Sequence, residues 1–316
     1  MSTAGVLAVA VAAALEALLS EPPARLHPVA WFGRAVTPFD REWSRAGAVG
    51  VGVGVALLLP LVAAAVVAGI VRLADAVHPL AAGVLAGVAL FSTTSLRMLL
   101  DEARRVNGLV ETDLGGARSA LRSLAGRDAS GLSAGEVRSA AVESAAENLT
   151  DGLVAPLLAF AVLAPLSLPL AVGAAAWVKA VNTLDSMLGY RSKPVGRASA
   201  RLDDLVMWLP ARLSAVLLAL GAGRPGVLGR ARAWAGEPPS PNSGWPMATL
   251  AALIDARLEK PGAYVLNPER ALPTGDAVER GIALVRRAGL LAYAAAGVVA
   301  GAGAWIGGLA EVLAWS

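Results

Sequence analysis

Cysteine is absent from this sequence and histidine occurs only twice, at His27 and His78. That excludes a disulfide framework, a thiolate nucleophile, a cysteine-type zinc site and a haem attachment. Any metal is therefore expected to use oxygen ligands, which points to Mg²⁺ held by a few carboxylates and substrate phosphates. No G-x-x-x-x-G-K-[ST] string is present, so a nucleotide, if used, is not held by a P-loop. Charge is scarce too, at 16% of residues, and it is gathered into a few blocks where a soluble surface would scatter it. The 27 basic and 24 acidic residues are interspersed, and no aromatic-basic module appears. Nucleic acid is a poor partner for such a pattern, and anionic lipid headgroups a better one.

What is abundant is apolar surface. Residues of the AVILMFWYC set make up 56% of the chain before its 34 glycines are counted. Long uncharged stretches cover about 48–71, 79–96, 152–178, 205–220 and 288–309, near the roughly 17–25 residues that cross a bilayer as a helix. A sixth, about 5–19, is short and interrupted by Glu16, and reads as an interfacial or partly buried helix. No Lys or Arg precedes Arg25, so it lacks the basic n-region of a signal peptide and is expected to be retained. The expected fold is all-α: a polytopic integral membrane bundle of five to six embedded segments, forming one domain over 1–316. Counting spans places the basic segments 20–47, 97–150 and 223–287 on one side, which the positive-inside rule makes cytoplasmic. Residues 97–150 then form a helical insertion on that side and 223–287 a loop region.

Within the insertion, Leu96, Leu99, Leu100, Ala103 and Val106 keep helical spacing, as do Leu114, Ala117, Leu121 and Leu124, with Gly115-Gly116 expected to break the run. A third helix begins at Ser133, where Glu136 completes a capping box. On it Glu136, Glu143, Glu147 and Asp151 are spaced by seven, four and four residues and share one face. A solvated acidic face has the same spacing. Yet Glu147, Asn148 and Asp151 stand at the mouth of an apolar span, where idle charge is costly.

Other polar groups follow. Lys179, Asn182 and Ser186 share a helix face, with Asp185 one turn beyond Asn182. Helix–helix hydrogen bonding would explain Asn182 and Ser186; an ammonium at Lys179 suits phosphate oxygens or developing negative charge. Arg197 and Arg201 suit phosphate recognition or simple flanking charge, and Asp203 with Asp204 offers Mg²⁺ ligands, although Asp203 would also serve as a helix cap. In 21–34, His27 precedes Pro28, Trp31 suits the membrane interface, and Arg34 is a further phosphate-binding candidate. Residues 242–268 read as a turn-rich entry, a short amphipathic helix and a second turn that together cap a pocket or form a plain loop. The metal candidates are thus Glu147, Asp151, Asp203 and Asp204. Glu143, Glu147, Asn148, Asp151, Lys179, Asn182 and Asp185 are the catalytic candidates, while His27, Arg34, Ser186, Arg197 and Arg201 are the substrate or phosphate ligands.

The ordered strings HPVAWFGR, ESAAENLTDGLVAPL, KAVNTLDSMLGY, GRASARLDDLVMWLPARL and GWPMATLAALIDARLEKPGAYVLNP resemble the adenosylcobinamide-phosphate synthase family of cobalamin biosynthesis, over about residues 21–268. One departure is Ser20-Glu21-Pro22 where that family usually has G-D-P. The resemblance implies an ATP-dependent, amide-forming ligase of the cytoplasmic (inner) membrane, its site facing the cytoplasm. Its substrates would be adenosylcobyric acid, through the free propionate carboxylate, and aminopropanol phosphate or a related amino alcohol. Its product would be adenosylcobinamide phosphate, with ATP as substrate, Mg²⁺ as cofactor and the bilayer, with other cobalamin-assembly enzymes, as partner. A transporter would show internal repeats, and a non-catalytic membrane sensor of similar fold would lack the polar strings; both remain alternatives.

The simple topology conflicts with a shared site. A straight helix from Glu147 to Asn182 would separate them by roughly 50 Å at 1.5 Å per residue. Pro156, Pro165 and Pro169 interrupt that stretch. The expectation is two half-helices, 152–164 and 168–181, that fold back so that both motif ends meet, with 205–220 also failing to cross. A kinked true span is the alternative.

Overall fold

The computed structural model describes residues 2–23, 25–125, 128–190 and 193–314. In chain order its helices are α1 (Ser2–Leu19), α2 (Pro28–Val36), α3 (Arg45–Val77), α4 (Pro79–Thr93), α5 (Arg97–Val110), α6 (Leu114–Ala125) and α7 (Ala134–Leu149). There follow α8 (Ala155–Leu163), α9 (Leu168–Leu188), α10 (Arg197–Val206), α11 (Trp208–Gly221), α12 (Val227–Ala231), α13 (Gly244–Ile254) and α14 (Gly275–Ala314). A π-helical turn, Thr150–Val154, joins α7 to α8. The sheet content among the described residues is one hairpin, β1 (Leu258–Lys260) and β2 (Tyr264–Leu266). The protein is a polytopic helical membrane protein. Four helical stretches among the described residues are long and apolar enough to cross a bilayer: Gly47–Val77, Pro79–Val110, Ala134–Leu163 and Gly275–Ala302. The chain divides into two compact units, one of Met1–Ser95, Ala155–Val206 and Tyr293–Ser316, the other of Leu96–Val154 and Met207–Ala292.

In the first unit α1 lies along α4, and the sequence explains the closeness. Gly83 and Gly87 form a G-x-x-x-G stripe on α4, and a Cβ at Gly87 would stand 2.6 Å from Val11 Cβ and 2.9 Å from the Ala8 carbonyl. Helix α1, expected to be partly buried, is so: Ala8 and Ala12 are fully buried, and Glu16 is 4% exposed. Its carboxylate accepts a hydrogen bond from Thr94 Oγ1 at 3.3 Å, and Tyr293 OH donates to Thr94 Oγ1 at 3.2 Å, so a polar chain ties α1 to α14 inside the bundle. A carboxyl so enclosed needs such partners, because an unpartnered charge there is costly.

The interrupted stretch folds back as the prolines require. Helix α8 ends at Leu163, the Ser167 amide bonds to the Leu163 carbonyl, and Ser167 Oγ accepts from the Leu170 amide to start α9, with Pro169 in its first turn. Helices α8 and α9 pack on each other, and α9 is the central helix of this unit, touching α2, α3, α4 and α10. A single continuous helix over 152–178 is therefore not formed, and α9, which carries Lys179, Asn182 and Asp185, is too polar to rank among the four candidate spans.

In the second unit α5, α6 and α7, the helices that the periodicity of 97–150 predicts, enclose a core of Val106, Leu121, Val137 and Ala141. Two local expectations are corrected. Gly115-Gly116 does not break the run: the chain turns at Glu111–Asp113, and Asp113 accepts a hydrogen bond from the Gly116 amide, so the glycines sit inside the first turn of α6. Nor is the helix in 242–268 amphipathic: Gly244 and Pro246 to Ile254 of α13 are all buried, as befits a helix apolar on every side, and the following turn is a β-hairpin with Leu258 opposite Leu266. The Ser133–Glu136 capping box is formed as its spacing predicts. Arg138 pairs with Glu111 and donates to Asn107, whose amide donates to Glu279, linking α7, α5 and α14 within this unit.

Candidate functional site

Both histidines do the same local work. His27 and His78 each precede a proline at the first helical position, and each Nδ1 accepts the amide two residues on, Val29 at 3.3 Å and Leu80 at 3.2 Å. The proline has no N–H to satisfy and its fixed φ starts the helix, while the histidine caps it. What separates His27 is its surroundings. Since its Nδ1 accepts a proton-bearing amide, the neutral ring carries its hydrogen on Nε2, and that atom faces Glu21 Oε2 at 3.9 Å. Glu21 in turn accepts from Ser95 Oγ at 2.6 Å. Burial pushes the His27 pKa below its usual 6.5, Glu21 opposes that, and the Lys179 ammonium adds to it. Glu21, His27, Ser95 and Lys179 therefore form one electrostatic neighbourhood in the first unit. The Glu21 carboxylate is set up by Ser20, which holds φ +65°, the left-handed region that glycine adopts without strain. That conformation accounts for the glycine usual in the family the strings resemble.

Lys179 also lines an apolar cavity of about 520 Å³ in the same unit. Further along α9, Asp185 is raised above the usual carboxylate range by burial and next by the charge of Asp204 on α10, so the two acids face one another's field. Gly189 leaves room for this: a Cβ there would lie 1.9 Å from Asp185 Oδ1. Asn182 is half-buried on the same helix, whereas Ser186 is exposed and returns its hydroxyl to the Asn182 carbonyl at 3.0 Å. Arg34 folds back onto the Ala30 carbonyl at 3.3 Å, while Arg197 and Arg201 are exposed on α10. Asp203 and Asp204 lie inside α10, so Asp203 does not cap the next helix, whose first residue follows Met207.

The acidic face of α7 belongs to the second unit, and its members have different surroundings. Glu136 is taken up by the capping box. Glu143 is 3% exposed, and its two oxygens accept hydrogen bonds from Ser139 Oγ and Tyr264 OH, both at 2.6 Å. Ser139 Oγ also accepts from the Glu259 amide at 2.7 Å, so this carboxylate fastens the hairpin to α7. Glu147, Asn148 and Asp151 are half-buried, with Asn148 donating to the Ser144 carbonyl at 3.0 Å. Asp151 stands in the π-helical turn, a distortion that recurs at functional sites because it re-aims side chains. Thr150 Oγ1 beside it is buried without a hydrogen-bond partner among the described residues.

Among the described residues no group of three or more His, Asp or Glu is gathered to hold a metal ion by itself. Mg²⁺ held through one or two carboxylates and substrate phosphates needs no such cage, and Glu147, Asp151, Asp203 and Asp204 offer oxygen donors of the right hardness. Sequence spacing alone missed Ser95 and Tyr264, whose partners are 74 and 121 residues away in the chain. The one local sign was a polar Thr93-Thr94-Ser95 run closing an apolar helix.

The family model for the CobD/Cbib protein matches residues 9–291, taking in every residue placed above from Glu16 to Glu279. The chain belongs to the CobD/CbiB family. It is 39% identical over 290 residues to a cobalamin biosynthesis protein CobD of Geobacter metallireducens, covering 87% of this chain and 88% of that one. It is 35% identical over 294 residues to a probable cobalamin biosynthesis protein CobD of Methanothrix thermoacetophila, covering 88% and 91%. With the Klebsiella pneumoniae cobalamin biosynthesis protein CobD it shares 36% over 287 residues, covering 86% and 88%. No solved structure matches it. As a CobD/CbiB member the protein has a biosynthetic role in the cobalamin pathway.

Proposed function

We propose that this CobD/CbiB protein is the ATP-dependent ligase that joins aminopropanol phosphate, or a related amino alcohol, to the free propionate of adenosylcobyric acid, giving adenosylcobinamide phosphate. The observation that supports the reading is family membership over residues 9–291. A carboxylate does not condense with an amine at neutral pH until one oxygen becomes a leaving group. In the proposed sequence the propionate oxygen attacks the terminal phosphorus of ATP and ADP departs. The amine nitrogen then attacks the acyl carbon, phosphate leaves with the activated oxygen, and the nitrogen gives up a proton to a base.

The residues have suitable chemistry for these steps. Lys179, Arg197 and Arg201 carry the positive charge that phosphate oxygens require, and neutral His27, with its Nε2–H, is a hydrogen-bond donor beside Lys179. Asp185, half-buried on α9 and raised above the usual carboxylate range first by that burial, is the first unit's candidate proton acceptor. Glu147 and Asp151 are the second unit's corresponding carboxylates. Magnesium, when bound, would supply charge neutralisation on the phosphates; Asp203 and Asp204 are the first unit's oxygen donors for it, and Glu147 and Asp151 those of the second. Glu143 we assign a positioning role, because its oxygens are engaged with Ser139 and Tyr264. The inner membrane, with the site on the cytoplasmic side where ATP is available, is the location the basic segments favour.

The test is reconstitution of purified protein with ATP, Mg²⁺, adenosylcobyric acid and each amino alcohol phosphate in turn, read by mass spectrometry. Amide product and ADP in equal amounts, formed only when both substrates are present, support the proposal. ATP turnover without product, or product without ATP, overturns it.

A further inference from the structure

The cavity in the first unit has a composition unlike a site for the charged groups above. Its volume of about 520 Å³ falls in the range of roughly 300–1,000 Å³ that holds small ligands. Its walls come from α3 through Ala63 and Ile70, from α4 through Leu85 and Ala89, and from α9 through Ala180 and Lys179. Apart from Lys179, every lining residue among those described is apolar or a neutral hydroxyl. Two of the walls are candidate membrane spans, and their lining residues continue onto the outer face: Ile70 is 53% exposed and Leu85 41%. The cavity is therefore a lateral recess in the lipid-facing surface of this unit. The proline-rich segment after α1, with Pro22 and Leu26, covers part of it.

We infer that this recess holds one acyl chain of a bilayer phospholipid. Two observations favour that occupant. The recess is continuous with surface that the bilayer already covers, so an acyl chain reaches it without crossing water. Its lining would gain nothing from water, since a dry apolar void of this size forgoes both hydrogen bonds and dispersion contacts. A chain seated there would also keep water from the apolar flank of Lys179, His27 and Glu21 and lower the local dielectric around them.

The recess can be closed without touching those residues. Ala89 and Ala63 are half-buried on its walls, so Ala89→Trp and Ala63→Phe would fill it from α4 and α3 separately. The full-length protein would be reconstituted in vesicles containing phosphatidylglycerol with a diazirine on one acyl chain, irradiated and digested. The expected result is labelling of peptides covering 60–71, 85–93 or 176–183 at several times the level found around Val53 and Leu58, which are exposed on α3 outside the recess. Both variants should lose at least about fivefold of that excess while the Val53 and Leu58 label is unchanged, and thermal melting would confirm that each variant is folded. Equal labelling of recess and outer face, an excess that survives in both folded variants, or displacement of the label by adenosylcobyric acid in proportion to its binding would each overturn the inference, the last by making the recess part of the corrinoid site.

Discussion

Removing one oxygen, by Tyr264→Phe, separates a carboxylate that holds the structure from one that reacts. Tyr264 OH lies 2.6 Å from Glu143 Oε2, and Glu143 is 3% exposed, so water cannot readily replace the lost donor. A hydrogen bond to a charged group contributes about 1.5–3 kcal/mol, and the ring, retained in phenylalanine, keeps its contacts. At roughly 2–4 °C per kcal/mol the melting temperature should fall on the order of 5 °C, measured by tryptophan fluorescence in detergent. Glu143→Gln removes the charge from the same bond and from the Ser139 bond at 2.6 Å. The two substitutions should be non-additive by about 1 kcal/mol, since each deletes part of one interaction. If Glu143 only positions the hairpin, Tyr264→Phe and Glu143→Gln assayed well below their melting points should ligate within a few-fold of the parent. A Glu143→Gln protein that melts like the parent yet loses more than 100-fold in turnover would refute the positioning role and make Glu143 a reacting group.

Ser20→Gly should stabilise the protein by about 1 kcal/mol, seen as a higher melting temperature, because a non-glycine residue at φ +65° carries a left-handed penalty of roughly 1–2 kcal/mol. His27 has a native pKa below its unfolded value of 6.5, so its contribution is full above pH 6.5 and lost as pH falls through the depressed native value. His27→Asn, which preserves a capping oxygen, should flatten the acid side of the stability profile below pH 6.5, and an unchanged slope in urea titrations at several pH values would contradict that cause. Glu147→Gln, Asp151→Asn and Lys179→Ala should each abolish product in the mass-spectrometric assay without lowering protein yield, and near-normal turnover in all three would remove them from the site.

Much of the architecture is legible because it rests on local rules. Apolar length marks α3 and α4, the capping box starts α7 at Ser133, and Pro165 with Pro169 forces the turn between α8 and α9, since proline gives up a helix donor and restricts its predecessor. The misreadings share a cause. Gly115-Gly116 looks like a breaker until Asp113 is seen to take the Gly116 amide, because a capped first turn tolerates glycine that a helix interior would not. Helix α13 looks amphipathic when its flanking turns are included, and only its burial against α7, α11 and α12 shows that all its sides are core. The site divides along the same line. Residue types and helical spacing are enough to collect Lys179, Asp185, Glu147 and Asp151. They cannot tell Glu143 from Glu147, four residues apart on one face, because the difference lies in Tyr264, which reaches Glu143 from a hairpin 121 residues away. Nor can they give His27 its acidic neighbour, since Glu21 is oriented by Ser95 at the end of another helix and by a left-handed turn at Ser20. Helical period reports which side chains share a face; what each one does there is decided by the donors that distant segments bring to it.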